Sequence, residues 1–122
     1  MSSGTRRLTT GALAAGATSP NLLGNDTLRY PGEPSSLEVA AACAVAGAGT
    51  QTLLVQVGNQ TVFTGLVPVE NRGTTDPGEG PSIPNNTLVR TGVAGGDQVS
   101  VEVTNAAGVA VATQVLVDIQ PA

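Results

Sequence analysis

The chain has 122 residues, enough for one domain, and a formal charge of −4 from nine acidic residues and five arginines, with lysine and histidine absent. The acidic balance argues against a nucleic-acid-binding surface, and the missing histidine removes the usual general base, Ser-His triads and most zinc sites. The single cysteine, Cys43, excludes an internal disulfide, and no run approaches the roughly 18 apolar residues of a membrane span.

Apolar content is ordinary at 40%, but aromatics make up only 2%, with one Phe, one Tyr and no Trp. The core must therefore be built from Val, Leu, Ile and Ala, which bury less area per residue. A core of this kind gives a modest monomer, and oligomerisation would add stability.

Residues 1–34 read as an extended N-terminal arm. Residues 1–26 are rich in Gly, Ala, Ser, Thr and Asn and show no sustained periodicity. Ordering such a segment costs about 1–2 kcal/mol per residue. Its own chemistry does not offset that cost, so an ordered arm calls for contacts with neighbouring subunits. Thr5-Arg6-Arg7-Leu8 and Ala15-Gly16-Ala17 also resemble a twin-arginine motif and a cleavage site. The apolar stretch between them is short and broken, and a signal peptide in residues 1–17 stays open as an alternative. Leu22-Leu23 and Leu28-Arg29-Tyr30 are short apolar anchors, and Pro31-Gly32-Glu33-Pro34 punctuates the chain before the globular part.

The β-sandwich domain is expected over 35–122. Residues 35–47 alternate as a strand with Leu37, Val39, Ala41, Cys43 and Val45 inward. A capping box, Ser35-x-x-Glu38, and Gly47 offer a helix as the alternative. The strand is preferred because its surroundings read as β. On either reading Cys43 is a small buried hydrophobe rather than a nucleophile. Gln51 to Thr64 reads as a hairpin with Gly58-Asn59 as a two-residue turn. Val57 then faces Gln60, Val55 faces Val62, Leu53 faces Thr64, and Leu54 lies against Phe63 on the other face. Leu66–Val69 continues as a strand that Pro68 marks as an edge or an end.

Residues 71–86 form a long loop, of the kind that is usually functional or mobile. Thr87 to Val93 is another strand. From Gly95 to Ile119 the valines alternate on both sides of Asn105-Ala-Ala-Gly108. This pattern predicts an antiparallel hairpin in which Val103 faces Val109 and Val101 faces Val111, with Gly108 in a bulge and Gly95-Gly96-Asp97 as the opening turn.

No catalytic, cofactor-binding or metal site emerges. Asp76 and Glu79 lack the alternating oxygen ligands of a calcium loop. Asp97, Glu102 and Asp118 fall on the polar register and read as mixed surface rather than an acid–base pair. Asn-x-Thr sequons start at Asn25, Asn59 and Asn85 and are ascribed to chance in an Asn/Thr-rich chain.

The pattern VQVGNQTVFTG…NNTLVRTGVAGGDQVSVEVTN…VLVDI resembles small single jelly-roll proteins of bacteriophage virions, over roughly residues 35–119. These are capsid decoration (cement) proteins and small capsid subunits. The resemblance implies an all-β, antiparallel, jelly-roll-like β-sandwich, with an Ig-like sandwich as the alternative. It implies no enzyme activity. The expected partners are capsid protein subunits and copies of itself as a trimer or dimer, without nucleic acid or membrane, at the capsid surface. Expected subunit-contact residues in the arm and on the surface are Leu8, Leu13, Leu22, Leu23, Tyr30, Leu54 and Phe63. Deleting 2–26 is expected to abolish assembly and leave the sandwich folded. Two other functions are weighed: a small jelly-roll coat protein that forms the shell itself, and an exported Ig-like or carbohydrate-binding module.

Overall fold

Val99, Val101 and Val103 are fully buried, as are Val115, Val117 and Ile119, so the period-two pattern reports the inward face correctly. The computed structural model describes residues 4–69 and 87–122. Within them lie seven strands: β1 (Gly4–Leu13), β2 (Ser35–Cys43), β3 (Gln51–Val57), β4 (Gln60–Leu66), β5 (Thr87–Val93), β6 (Val99–Asn105) and β7 (Val111–Pro121). A four-stranded sheet has the order β1-β7-β2-β5 and a three-stranded sheet the order β4-β3-β6, with every ladder antiparallel.

The predicted hairpin between β6 and β7 does not form. β6 pairs with β3, while β7 lies in the other sheet between β1 and β2. Alternation tells which side of a strand is buried. In a sandwich both sheets bury a face against the same core, so the pattern is the same whether two strands pair or face each other. Asn105–Val109 therefore crosses between sheets, and Val109 is exposed rather than paired with Val103.

The chain folds back on itself as one long ribbon that is then rolled up. Its nested antiparallel pairs are β1 with β7, β2 with β5 and β3 with β4. A further pair joins Gly16–Leu22 to β6, through a bridge at Thr18 and Thr104 and backbone bonds from Gly16, Ser19 and Leu22 to the carbonyls of Asn105, Val103 and Val101, each 2.8 Å long. Rolling the ribbon places β2 beside β7 and β3 beside β6. This is a jelly-roll arrangement in which the second edge strand is reduced to an irregular segment. In an Ig-like sandwich the first strand pairs with the second; here it pairs with the last.

Residues 4–34 read from the sequence as an arm, but they lie against the domain. β1 runs along β7 from Gly4↔Ile119 to Leu13↔Val111. The segment after it carries Leu23 and Leu28 into the core, where both are completely buried. The segment had no visible periodicity because its two halves are held differently. β1 alternates between half-buried and exposed positions, and Gly16–Leu22 is held mainly by backbone bonds.

β2 forms as a strand with Leu37, Val39, Ala41 and Cys43 buried, and a short 3-10 turn follows at Val45–Gly47. In the β3–β4 hairpin Val57 faces Gln60 as predicted. A bulge then leaves Val62 without a partner, so Val55 faces Phe63, Leu53 faces Gly65 and Leu54 faces Thr64. The bulge turns Phe63 onto the inner side, where it packs against the core. Leu54 and Phe63 thus sit on opposite faces. The Phe63 ring covers Gly65 so closely that a Cβ there would come within 2.8 Å of its Cζ. β4 ends at Leu66, and Val67–Val69 crosses from β3 to β2: Val67 N donates to Gln51 O, and Cys43 N donates to Pro68 O.

Candidate contact surface

One end of the sandwich is organised by polar side chains in its interior. Gln51 and Asn105 face each other on β3 and β6 and are completely buried, as is Thr113 on β7. Gln51 Nε2 donates to Asn105 Oδ1 at 2.7 Å and to Thr50 Oγ1 at 3.0 Å. Thr113 Oγ1 donates to Gln51 Oε1 at 3.5 Å. Asn105 Nδ2 donates to the carbonyls of Leu13 (2.9 Å), Ala14 (3.3 Å) and Val109 (2.9 Å), and its Oδ1 accepts from Ala107 N (2.8 Å). Each amide atom has a partner, which is what makes such a cluster tolerable in an interior.

This cluster gathers three loops at one end: the turn after β1, the Val67–Val69 crossing that begins at Gln51 O, and the β6–β7 crossing. The surface over them is aliphatic. Four large hydrophobics are prominently exposed among the described residues, and three lie here: Leu66 (59%), Val69 (38%) and Val109 (55%). Ala14, Ala15 and Ala106 are exposed beside them. The fourth, Tyr30 (50%), lies at the opposite end, near the Gly96 turn that bonds Pro31 O, with the Arg29 guanidinium 5.0 Å from its ring.

The contact residues expected from the sequence are placed differently. Leu23 belongs to the core and is not available to a partner. Leu8, Leu13, Leu22 and Phe63 are half-buried against the protein's own core. Leu54 is half-buried on the outer side of the three-stranded sheet, and Tyr30 alone is strongly exposed. Leu66, Val69 and Val109 were not singled out by sequence reasoning. Pro68 carried the only signal for the first two, since it marks where β4 must end.

Charged groups are dispersed. On the outer face of the four-stranded sheet, Asp118 stands opposite Glu38. Arg90 bonds Glu38 at 3.2 Å, and the Thr5 hydroxyl and the Gln120 amide each bond Asp118 at 2.9 Å. Glu102 lies in the other sheet, beside Leu54, and Asp97 in the turn before β6, so the three carboxylates weighed from the sequence do not converge. Cys43 is completely buried, and burial pushes its thiol above the ordinary range. Among the described residues no group of His, Cys, Asp and Glu is arranged to hold a metal ion. Asp76, Glu79, Asn85 and the 71–86 loop lie outside the described residues. Asn25 and Asn59 are exposed.

Comparison with family models, with curated proteins and with solved structures finds no match.

Proposed function

We propose that this protein is a structural component of a bacteriophage virion that decorates or cements the capsid. The observation that carries the reading is the aliphatic end of the jelly roll, where Leu66, Val69 and Val109 are exposed at the end that holds the buried, hydrogen-bonded Gln51–Asn105 cluster. Exposed apolar side chains gathered on a pre-ordered base are the form of a protein contact, because little further ordering is needed on binding. The occupant of this end is a shell subunit. The chain's chemistry points the same way, since adhesion requires shape and apolar area rather than reactive groups.

The test uses virions from the source organism. The chain is expected in purified particles at a copy number commensurate with the shell subunits. A Leu66→Glu/Val109→Glu variant is expected to remain folded and to stay in the soluble fraction. Virions that lack the chain, or that retain the double variant at wild-type copy number, would overturn the reading. Closed particles formed by the chain expressed alone would replace it with a shell-forming role.

A further inference from the structure

We propose that the cleft between the β3–β4 turn and the end of β5 takes the side chain of a lysine from a partner protein. The inference does not rest on the capsid reading, and the cleft lies at the end of β4 away from Leu66.

The first observation is where the cleft opens. β4 and β5 are edge strands of different sheets, and each has one side unpaired among the described residues. Between them lies a cavity of about 540 Å³, lined by Gln60 and Val62 from β4 and by Thr91 from β5. Val62 is the residue that the bulge leaves without a ladder partner, and with Val57 it gives the cavity an apolar wall. An extended segment can approach along an open edge of this kind and set a side chain into the cavity.

The second observation is an unpaired carboxylate in the same cavity. Asp97 is half-buried and lines it together with Gly58. The carboxylate rests against that glycine: a Cβ on Gly58 would stand 3.4 Å from its Cγ and 3.5 and 3.6 Å from its two oxygens. The backbone N–H of Asp97 donates to Ala94 O, but the carboxylate has no hydrogen bond or ion pair among the described residues. Asp26 and Glu38 are paired with Arg6 and Arg90, and Asp118 accepts from Thr5 and Gln120. Glu33 and Glu102 also stand without an ion pair, and neither lines this cleft.

The third observation is that the matching cation has to come from outside. The chain has no lysine or histidine and carries a formal charge of −4. Arg6 and Arg90 hold other carboxylates, and Arg29 bonds the Gly24 carbonyl and lies over the Tyr30 ring. Lysine carries its charge on a long aliphatic stem, which lies along apolar surface while the ammonium stays with polar partners. Here the stem meets Val57 and Val62, the ammonium meets Asp97, and the side-chain oxygens of Gln60 and Thr91 are further acceptors.

The test is a titration of the isotope-labelled protein at low ionic strength with Nα-acetyl-lysine methylamide, followed by amide chemical shifts. Saturable shifts are expected at Gly58, Gly92 and Asp97, with binding at millimolar concentration. Asp97→Asn should weaken binding about fivefold, the size of one partly exposed ion pair, while Glu102→Gln on the other face should leave it unchanged. The Asp97 carboxylate makes no bond within the fold, so Asp97→Asn keeps the dispersed spectrum of the folded chain. On the wild-type protein, the same probe acetylated at its side-chain nitrogen should produce no saturable shift. Equal shifts from the acetylated probe, from ammonium chloride or in Asp97→Asn overturn the proposal, as do shifts spread evenly over the acidic surface.

Discussion

Gln51 and Asn105 form a hydrogen bond of 2.7 Å inside the sandwich, and through it β3 and β6 are joined to the turn after β1 and to the β6–β7 crossing. The pair is the clearest case here of polar side chains that determine shape. An apolar pair of similar size would pack, but it would leave the carbonyls of Leu13 and Val109 and the N–H of Ala107 without these partners.

Asn105→Ala therefore removes five hydrogen bonds at once, leaving Gln51 Nε2 with Thr50 Oγ1 alone and taking a partner from each of the loop groups. Destabilisation of about 3 kcal/mol or more is expected, by summing a few lost bonds at about 1 kcal/mol each and the desolvation of what remains. Urea unfolding followed by far-UV circular dichroism measures it. A loss under about 1 kcal/mol would mean that the loops hold themselves.

Leu23→Ala opens a cavity in the core and should cost about 2–5 kcal/mol. Tyr30→Ala, at a half-exposed position, should change stability by less than about 1 kcal/mol. The same comparison revises the truncation expected from the sequence. Deleting 2–26 removes β1 and Leu23 together, so it should unfold the sandwich rather than leave it intact. A well-folded truncated chain with a cooperative thermal transition would contradict the packing described.

Gly65→Ala places a methyl group against the Phe63 ring, within 2.8 Å of Cζ, and the ring must move. Overpacking of this kind costs about 1–3 kcal/mol. Gly65→Ala combined with Phe63→Leu should recover part of the loss. Thermal melts of the two single variants and the double variant form the cycle that checks it.

The raised ionisation of the Cys43 thiol fixes a sign for alkaline pH. The folded chain keeps its proton to a higher pH than the unfolded chain, whose thiol ionises near its ordinary value of about 9. Below that value the thiol contributes its full share of stability. As pH rises from the unfolded value to the folded one, the share is progressively lost, because only the unfolded state releases its proton. Cys43→Ala should flatten the decline between pH 8 and 10, and thiol labelling of the native protein should be limited by opening of the fold.

Much of the architecture was legible along the chain. Val99–Val103 and Val115–Ile119 announced strands with one buried face, Ser35–Cys43 announced another, and Gly58-Asn59 marked the β3–β4 turn. Of the contact residues read from the sequence, Tyr30 alone is strongly exposed. Leu22 and Leu23 show why. Adjacent leucines in a Gly/Asn-rich stretch read the same whether they face a partner or their own core. Here Leu23 is completely buried, while Leu22 is half-buried and carries a backbone bond to β6.

By itself the sequence determined the local quantities: which residues extend, which side of each strand is apolar, where the turn chemistry falls, and that no histidine-based chemistry is available. Those follow from forces that act over a few residues. Only the tertiary structure decided that β6 and β7 belong to different sheets, that Val62 bulges and turns Phe63 inward, that residues 4–34 close over their own domain, and that Leu66, Val69 and Val109 are exposed at the same end. Strand pairing is chosen by contacts between residues far apart in the chain, and a period of two is indifferent to which partner supplies them.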